Sequence, residues 1–407
     1  MFTQNFDILQ QILGIPNTKI TNIKQNETEI HIYLECMNES GICPICSSKC
    51  DTVHENKEKK EIRDCAVFGK KCFLHVTHRR FKCSRCDKTF MERLDWIDSY
   101  GRYTQRYADW LAKYGLKIDI KSLSKLEKIG YSTVERIVKN KNYTYLFPDK
   151  EKFPVNAGMD EFAQKKGRGN FCVLITNNDT KKPFDILPSR EEDTLESYFS
   201  SIPEETRAKN KSFTVDMWKI FIKQIKKFFP NSEIIIDRFH VMKCLNKCID
   251  KTRRRLQKLI AKDRSEKLKD LRWIILKNNK DLTNEEKDKL KFAFECSNGI
   301  KEMYELKEAI RAVFEKKISK ESARKKLGKL IEQANDINDK SIKSFIKTYN
   351  TFEDYILNYF NNRCSNGLIE GINNKIKVIK RMAYGMPNFI NFSARILSTF
   401  ECNYSQI

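Results

Sequence analysis

Apolar residues recur along this chain with two different periods, and the changes of period mark its organisation. Up to about residue 100, short runs alternate apolar and polar positions, as over 59–63 and 72–81, which is the pattern of half-buried strands. Residues 101–150 switch to helical spacing. Between 151 and 245 the apolar runs return, interleaved with short amphipathic helices: 155–162, 171–176, 184–187, 212–216 and 233–237 read as five strands, and 191–202 and 220–229 as helices. Residues 246–345 carry Leu256, Leu259 and Ile260, then Leu268, Leu271, Ile274 and Ile275, at helical spacing among many Lys, Glu and Asn. A last helical stretch covers about 350–402. No internal repeat interrupts this order.

The pattern predicts a multidomain α+β chain. Residues 1–100 form one domain and 101–150 a second. Residues 151–245 with 350–407 form an α/β domain, into which 246–349 is inserted as helices. The strand and helix order β-β-β-α-β-α-β is that of the RNase H fold, three antiparallel strands followed by parallel ones reached through crossover helices.

Charge adds a partner to this picture. The 407 residues carry a net charge of +23, and such a surface attracts phosphate backbones. Residues 1–100 hold 15 basic against 14 acidic residues, so nearly all the excess lies later, including 11 basic against 5 acidic residues in 101–150. No apolar run is long enough to span a bilayer, and the first residues lack a basic start followed by an apolar stretch. The 14 cysteines are therefore expected as reduced thiols or metal ligands in the cytoplasm, on the nucleoid if the partner is DNA.

Four of those cysteines are paired by spacing. Cys43-Pro44-Ile45-Cys46 and Cys83-Ser84-Arg85-Cys86 are CxxC knuckles 36 residues apart. Two such turns supply the four thiolates of a tetrahedral structural Zn²⁺ site, a zinc ribbon. The interval is longer than the usual ~15–20 residues, so the segment between must form its own hairpin. Cys50, His54, Cys65 and His78 are alternative ligands. In the next segment, 120–128 reads as a helix, Ile129-Gly130-Tyr131 as a turn, and Ser132 as the cap of a second helix over 133–140. That is a helix-turn-helix layout, in which Arg136, Lys139 and Lys141 meet phosphates or base edges.

The α/β segment carries acids at telling places. Asp160 lies in the first strand, Asp216 ends the fourth, and in the RNase H order those strands are neighbours despite the 56 residues between the acids. Two carboxylates forced together repel unless a cation neutralises them, and hard oxygen ligands suit Mg²⁺ or Mn²⁺. A third ligand is expected from a later helix. Glu370 fits, with Ser365 or Asn366 as cap and Asn366, Asn373 and Asn374 sharing its face. Lys375, Lys377, Lys380 and Arg381 follow, suited to DNA backbone contacts. Asp237 also ends a strand and is the alternative to Asp216.

These residues together resemble the ISL-three-type insertion-sequence transposases of bacteria, over nearly the whole chain. The resemblance rests on the two knuckles with Arg79-Arg80-Phe81 before the second, on Gly158-Met159-Asp160-Glu161-Phe162, and on Val215-Asp216-Met217-Trp218. It rests also on Asp237-Arg238-Phe239-His240 and on Ser365-Asn366-Gly367 running to Glu370-Gly371 and Asn373-Asn374. It implies a DDE triad of Asp160, Asp216 and Glu370, with Asp237 and His240 as a supporting DxxH element. It further implies metal-dependent cleavage and strand transfer on double-stranded DNA, the element's terminal inverted repeats and its target. A homodimer or larger assembly on DNA follows from the need to join two ends. The rival readings are a non-catalytic DNA-binding regulator or inactive copy, and a nuclease or resolvase that cuts without joining.

Overall fold

One long antiparallel hairpin organises the N-terminal part of the computed structural model, which describes residues 6–98, 101–142, 148–164, 171–260, 266, 268–337, 339–363, 367–383 and 388–401. The chain divides into two compact units, 1–144 and 145–403.

In the first unit, helix α1 (Asp7–Leu13) precedes strands β1 (Thr18–Gln25), β2 (Glu29–Cys36), β3 (Gly41–Ile42), β4 (Lys49–Cys50), β5 (Val53–Val67), β6 (Lys70–Lys82) and β7 (Thr89–Met91). The main sheet has the order β1-β2-β6-β5, with β7 on the end of β6. The β5–β6 hairpin turns on Phe68 and Gly69, both at positive φ (50° and 77°), which matches the twist of the strands in a two-residue connection. Ile30, Ile32 and Leu34 of β2, Ile62 of β5, and Leu74 and Val76 of β6 bury one face against Leu13, Leu94 and Ile97.

Three helices follow: α2 (Gln105–Lys117), α3 (Ile120–Glu127) and α4 (Tyr131–Asn142). They close on Leu111, Leu123, Val134, Ile137 and Val138. Lys128 ends α3 in the left-handed conformation. The Gly130 carbonyl already accepts the amides of Thr133 and Val134, so α4 starts at Tyr131. Ser132 is therefore in the first turn and not at the cap, a correction to the sequence expectation. The helices are fastened to the hairpin by Asp64, which is 1% exposed. Its carboxylate accepts from Thr104 Oγ1 at 2.6 Å and Arg106 Nε at 2.8 Å, while Arg63 of the same strand reaches Glu127 of α3.

The second unit is built on a mixed five-stranded sheet. Strands β8 (Asn156–Ala163), β9 (Phe171–Asn177), β10 (Lys182–Leu187), β11 (Ser212–Val215) and β12 (Glu233–Ile236) take the order β10-β9-β8-β11-β12. The first three are antiparallel, and β11 joins β8 and β12 in parallel. Helices α5 (Glu192–Ser200), α6 (Glu204–Lys209) and α7 (Lys219–Phe228) make the crossovers. The single helix expected over 191–202 stops at Ser200, and Pro203 starts a second short one.

Alternation along β9 decides how the sheet is covered. Val173 and Ile175 point to one face, with Leu195, Phe199, Phe213, Phe221 and Ile225. Cys172 and Leu174 point to the other, under Ile369, Ile372, Ile376 and Ile379 of α15 and Phe392 and Ile396 of α16. The segment between the sheet and these last helices consists of α8 (Arg238–Gln257), α9 (Leu271–Leu276), α10 (Asn284–Cys296), α11 (Asn298–Glu315), α12 (Lys320–Asn335), α13 (Lys340–Leu357) and the short α14 (Tyr359–Asn362); α15 is Gly367–Met382 and α16 Phe389–Glu401. Helix α8 begins before residue 246, and the inserted helices share one continuous apolar core with the sheet. Asn358 Nδ2 donates to the Ile234 carbonyl of β12 at 2.7 Å.

Gly158 sets the distance between β8 and α15. A Cβ there would stand 2.6 Å from Ile369 Cδ1, 2.4 Å from Thr176 Oγ1 and 2.8 Å from Asn178 Oδ1. Gly158→Ala is therefore expected to cost about 1–3 kcal/mol by overpacking, read as a lower urea midpoint of the second unit. Asp64→Ala should cost the first unit about 2 kcal/mol, less than a fully buried pair because Arg106 can turn to water. A midpoint within error of the parent in circular dichroism would refute either assignment.

Candidate active site

Parallel pairing places the acids in one row. Ser212, Phe213 and Thr214 of β11 pair with Asn156, Ala157 and Gly158 of β8, so two residues further on Asp216 falls opposite Asp160. Val215 pairs with Ile236, which brings Asp237 to the next place in the row. The three acids part company beyond that. Asp160 and Asp216 line a cleft of about 380 Å³ together with Glu161, His240, Lys243, Glu370, Asn373, Lys377 and Lys380. Asp237 is 1% exposed, stands at the start of α8, and does not line the cleft.

Glu370 arrives on α15. The buried stripe Ile369, Ile372, Ile376 and Ile379 turns the helix so that Glu370 and Asn373, three residues apart, face the strand. Asn373 Nδ2 donates to Asp160 Oδ2 at 2.8 Å. Asn373 Oδ1 is buried with no hydrogen-bond partner. Asn374 instead accepts from Lys377 at the exposed surface. Ser365 and Asn366, expected as the cap, lie outside the described residues. Glu370 itself is exposed, so its carboxylate stands at the rim of the cleft.

The site's charges are tuned by burial and by one imidazole. Asp216 Oδ1 accepts from the Met217 amide at 2.6 Å and meets His240 Nδ1 at 2.9 Å. Burial pushes the Asp216 carboxyl up, but the hydrogen bond and charge of His240 outweigh it and hold it below the ordinary range. Burial pushes His240 down, and the bond to Asp216 more than reverses this. Asp160 goes the other way: burial raises it, opposed by His240 and helped by the neighbouring Asp216 charge. His240 is positioned in turn by the Asp237 carbonyl, which accepts its amide at 3.1 Å.

One part of the surroundings carried no periodic signal. Arg190 Nη1 meets Glu161 Oε2 at 2.5 Å, and its guanidinium lies 4.4 Å from the Phe171 ring and 4.6 Å from that of Trp218. This clamp joins β8, β9 and the turn after β11 beside Asp160. Trp218 stands in a block that the sequence singles out, but Arg190 sits in an aperiodic polar loop. The basic residues divide as well. Lys377 and Lys380 line the cleft and Arg381 is exposed, whereas Lys375 lies over the Phe400 ring at 4.1 Å. In α4, Lys139 pairs with Glu135 and Lys141 folds back on Asp109 and Gln105 of α2. Arg136 is half-buried on the same helix.

The cysteine knuckles meet because β5 and β6 run back together. Cys43 and Cys46 precede β5, Cys83 and Cys86 follow β6, and Val53 pairs with Phe81. Each knuckle repeats one backbone pattern: the Cys43 and Cys83 amides donate to the Ser48 and Lys88 carbonyls, and their own carbonyls accept the Ser47 and Asp87 amides. Ser47 and Asp87 both take positive φ, 55° and 54°. The four sulfurs all lie within 4.8 Å of one another, with Cys43–Cys86 at 3.6 Å and Cys46–Cys83 at 3.5 Å. Cys50 is buried beside them with its thiol bonded to the Ser48 carbonyl. Among the described residues, the three cleft carboxylates do not form a set with all ligand atoms within 4.8 Å of one another.

Comparison with known proteins identifies the family of the chain. A transposase family of the ISL3 type matches residues 157–396, the span from β8 to α16. The chain is 27% identical over 379 residues to the transposase for insertion sequence element IS1001 of Bordetella parapertussis, covering 92% of each chain. It is 23% identical over 345 residues to the transposase for insertion sequence element IS1557 of Mycobacterium tuberculosis, covering 77% of this chain and 75% of that one. Matched by that family across more than half its length, from the strand of Asp160 to the helices that cover it, the chain belongs to the ISL3-type transposases.

Proposed function

We propose that this DNA transposase cuts the ends of its element and joins them to target DNA at the cleft of Asp160, Asp216 and Glu370. The observation that carries the reading is the convergence of two strand acids and a helix acid, 210 residues apart at the extremes, on one lysine-lined cleft. The sheet order β10-β9-β8-β11-β12 supports an RNase H-like catalytic domain made of 151–245 and 350–407, with 246–349 inserted. Residues 1–100 act as a zinc ribbon and 101–150 as a helix-turn-helix on the terminal inverted repeats.

The cleft's donor set suits a hard divalent cation. Its ligands are carboxylate oxygens, the burial of Asp160 favours its neutral form unless a cation stands near, and the buried Asn373 Oδ1 offers a further oxygen. Mg²⁺ or Mn²⁺ held by Asp160, Asp216 and Glu370 would supply charge stabilisation for in-line phosphoryl transfer. The chain's own groups do the rest. Asn373 fixes the Asp160 carboxylate, His240 keeps Asp216 ionised, and Asp237 holds the turn from which His240 projects. Lys377, Lys380 and Arg381 neutralise backbone phosphates. Arg136 serves the same purpose on α4, while Lys139, Lys141 and Lys375 contribute less because each is drawn to a neighbour in its own unit. In the reaction, a water oxygen displaces the 3′ oxygen at the element end. The freed 3′-hydroxyl then displaces a phosphodiester oxygen in the target. Joining two ends calls for a homodimer or larger assembly on DNA.

For the thiols, a tetrahedral Zn²⁺ with bonds of about 2.3 Å has sulfur–sulfur edges of about 3.8 Å. The separations of 3.5 and 3.6 Å are close to this, so Cys43, Cys46, Cys83 and Cys86 fit a structural zinc.

With purified protein, its element ends and Mg²⁺ or Mn²⁺, we expect cleaved and joined products. Asp160→Asn, Asp216→Asn and Glu370→Gln should each lower both by ~10²-fold or more and leave binding to the ends intact. End binding with no cleavage by the parent in either metal would favour a regulator, and cleavage without joining a nuclease. Cys43→Ser or Cys86→Ser should remove one zinc per chain and weaken end binding, measured by atomic emission and gel shift. Retained zinc in both variants would refute the four-thiolate assignment.

A further inference from the structure

The sheet of the first unit carries a second ligand cluster on the face opposite its apolar core. Alternation along β2, β6 and β5 puts Ile32, Leu74 and Ile62 inward and leaves His31, His75 and Glu61 outward. Register makes them neighbours: His75 pairs with Tyr33 of β2 on one side and with Glu61 of β5 on the other. His75 Nε2 is 2.9 Å from His31 Nδ1 and 3.8 Å from Glu61 Oε2. One ligand atom from each of the three residues lies within 4.8 Å of the other two.

The rings are held for this purpose from both sides. His31 stacks on Phe73 at 5.1 Å and His75 on Tyr33 at 4.6 Å, each at 14° between planes. Glu29 Oε2 stands 3.5 Å from His31 Nε2, the ring nitrogen that faces away from His75. A carboxylate only accepts, so this contact favours a proton on Nε2 and leaves the Nδ1 lone pair on the side of His75. A carboxylate behind an imidazole is how metal-binding histidines are oriented. The His31 and His75 side chains are 25% and 14% exposed and Glu61 is 56% exposed, so the imidazoles are shielded while the carboxylate edge is open to an entering ion.

We propose that His31, His75 and Glu61 form a second transition-metal site, for Zn²⁺ by ligand type, with Glu29 as the positioning carboxylate. Two imidazoles and a carboxylate leave a fourth position for water, and imidazole disfavours Mg²⁺ or Ca²⁺. Without metal, one proton between His31 Nδ1 and His75 Nε2 satisfies both rings. The ion takes its place, and His75 exchanges through solvent to its other neutral tautomer, with the proton on Nδ1, so both rings stay neutral. Glu29 and Glu61 then balance the ion's two charges. The site ties β2, β6 and β5 together two residues from Arg63, whose guanidinium lies over Phe73 and Tyr107 and meets Glu127. It therefore stiffens the platform on which α2 and α3 are docked.

The test uses the full-length chain without a histidine tag. Protein is equilibrated with micromolar Zn²⁺, freed of loose ion by gel filtration, and its zinc counted by atomic emission. His31→Gln and His75→Gln are compared with the parent, so the thiols and cleft carboxylates are common to all samples. The proposal expects one zinc fewer per chain in both variants and a thermal midpoint that no longer rises with added Zn²⁺. An unchanged count in both overturns it. Should a histidine variant fail to fold by circular dichroism, Glu29→Gln carries the test, because it leaves all three ligands in place. Its affinity at this site should fall 10–100-fold, and an unchanged affinity overturns the proposal.

Discussion

Everything in the second unit turns on bringing α15 down onto β8. Asn373 bonds to Asp160 across 213 residues of chain, and the space for that approach exists because residue 158 has no side chain. The isoleucine stripe of α15 supplies the apolar burial that pulls the helix in and turns it, and the Asn373–Asp160 bond pins it against β8. Glu370 is then delivered to the cleft as a consequence of packing, with no interaction of its own needed to hold it there. The inserted helices do not disturb this arrangement, because they extend the core on the opposite face of the sheet.

The cysteine cluster and the cleft carboxylates, each proposed above to hold metal, embody opposite physical strategies. The four thiols are gathered by backbone geometry that two tight turns repeat, and their sulfurs all lie within 4.8 Å of one another. With the proposed zinc bound, such a cluster would contribute to folding. The three carboxylates are brought to one cleft but kept looser, with one buried and raised, one lowered by an imidazole, and one at the exposed rim. Like charges gathered without a cation repel, and the cleft proposed above to take DNA is left open.

Much of this was legible from periodicity. The strands of the sheet read as short apolar runs between polar segments, and β9, buried on both faces, is continuously apolar from Phe171 to Ile175. Acids at or near strand ends could be placed because parallel register carries one strand's position over to the next. The long cysteine interval was legible as a hairpin for the same reason. What escaped has no periodic trace. Asp64 holds the helices to the hairpin from a position that reads as one more polar strand residue. Arg190 sits in an irregular loop and acts through stacking on rings distant in sequence. The start of α4 shifted by two residues because the Gly130 carbonyl opened the helix before Ser132 could.

The covering of one sheet face by α15 and α16 has a consequence for the fate of damaged gene copies. A frameshift or stop codon within the stretch encoding the inserted helices would leave the cysteine knuckles and the three-helix segment intact. It would also strip Leu174, Ile186 and the groove at Gly158 of their cover. An apolar sheet face left bare in this way draws chaperones, proteases or other copies of itself. Decaying elements would thus be cleared as misfolded protein, and would not persist as stable competitors for the DNA ends of their intact relatives.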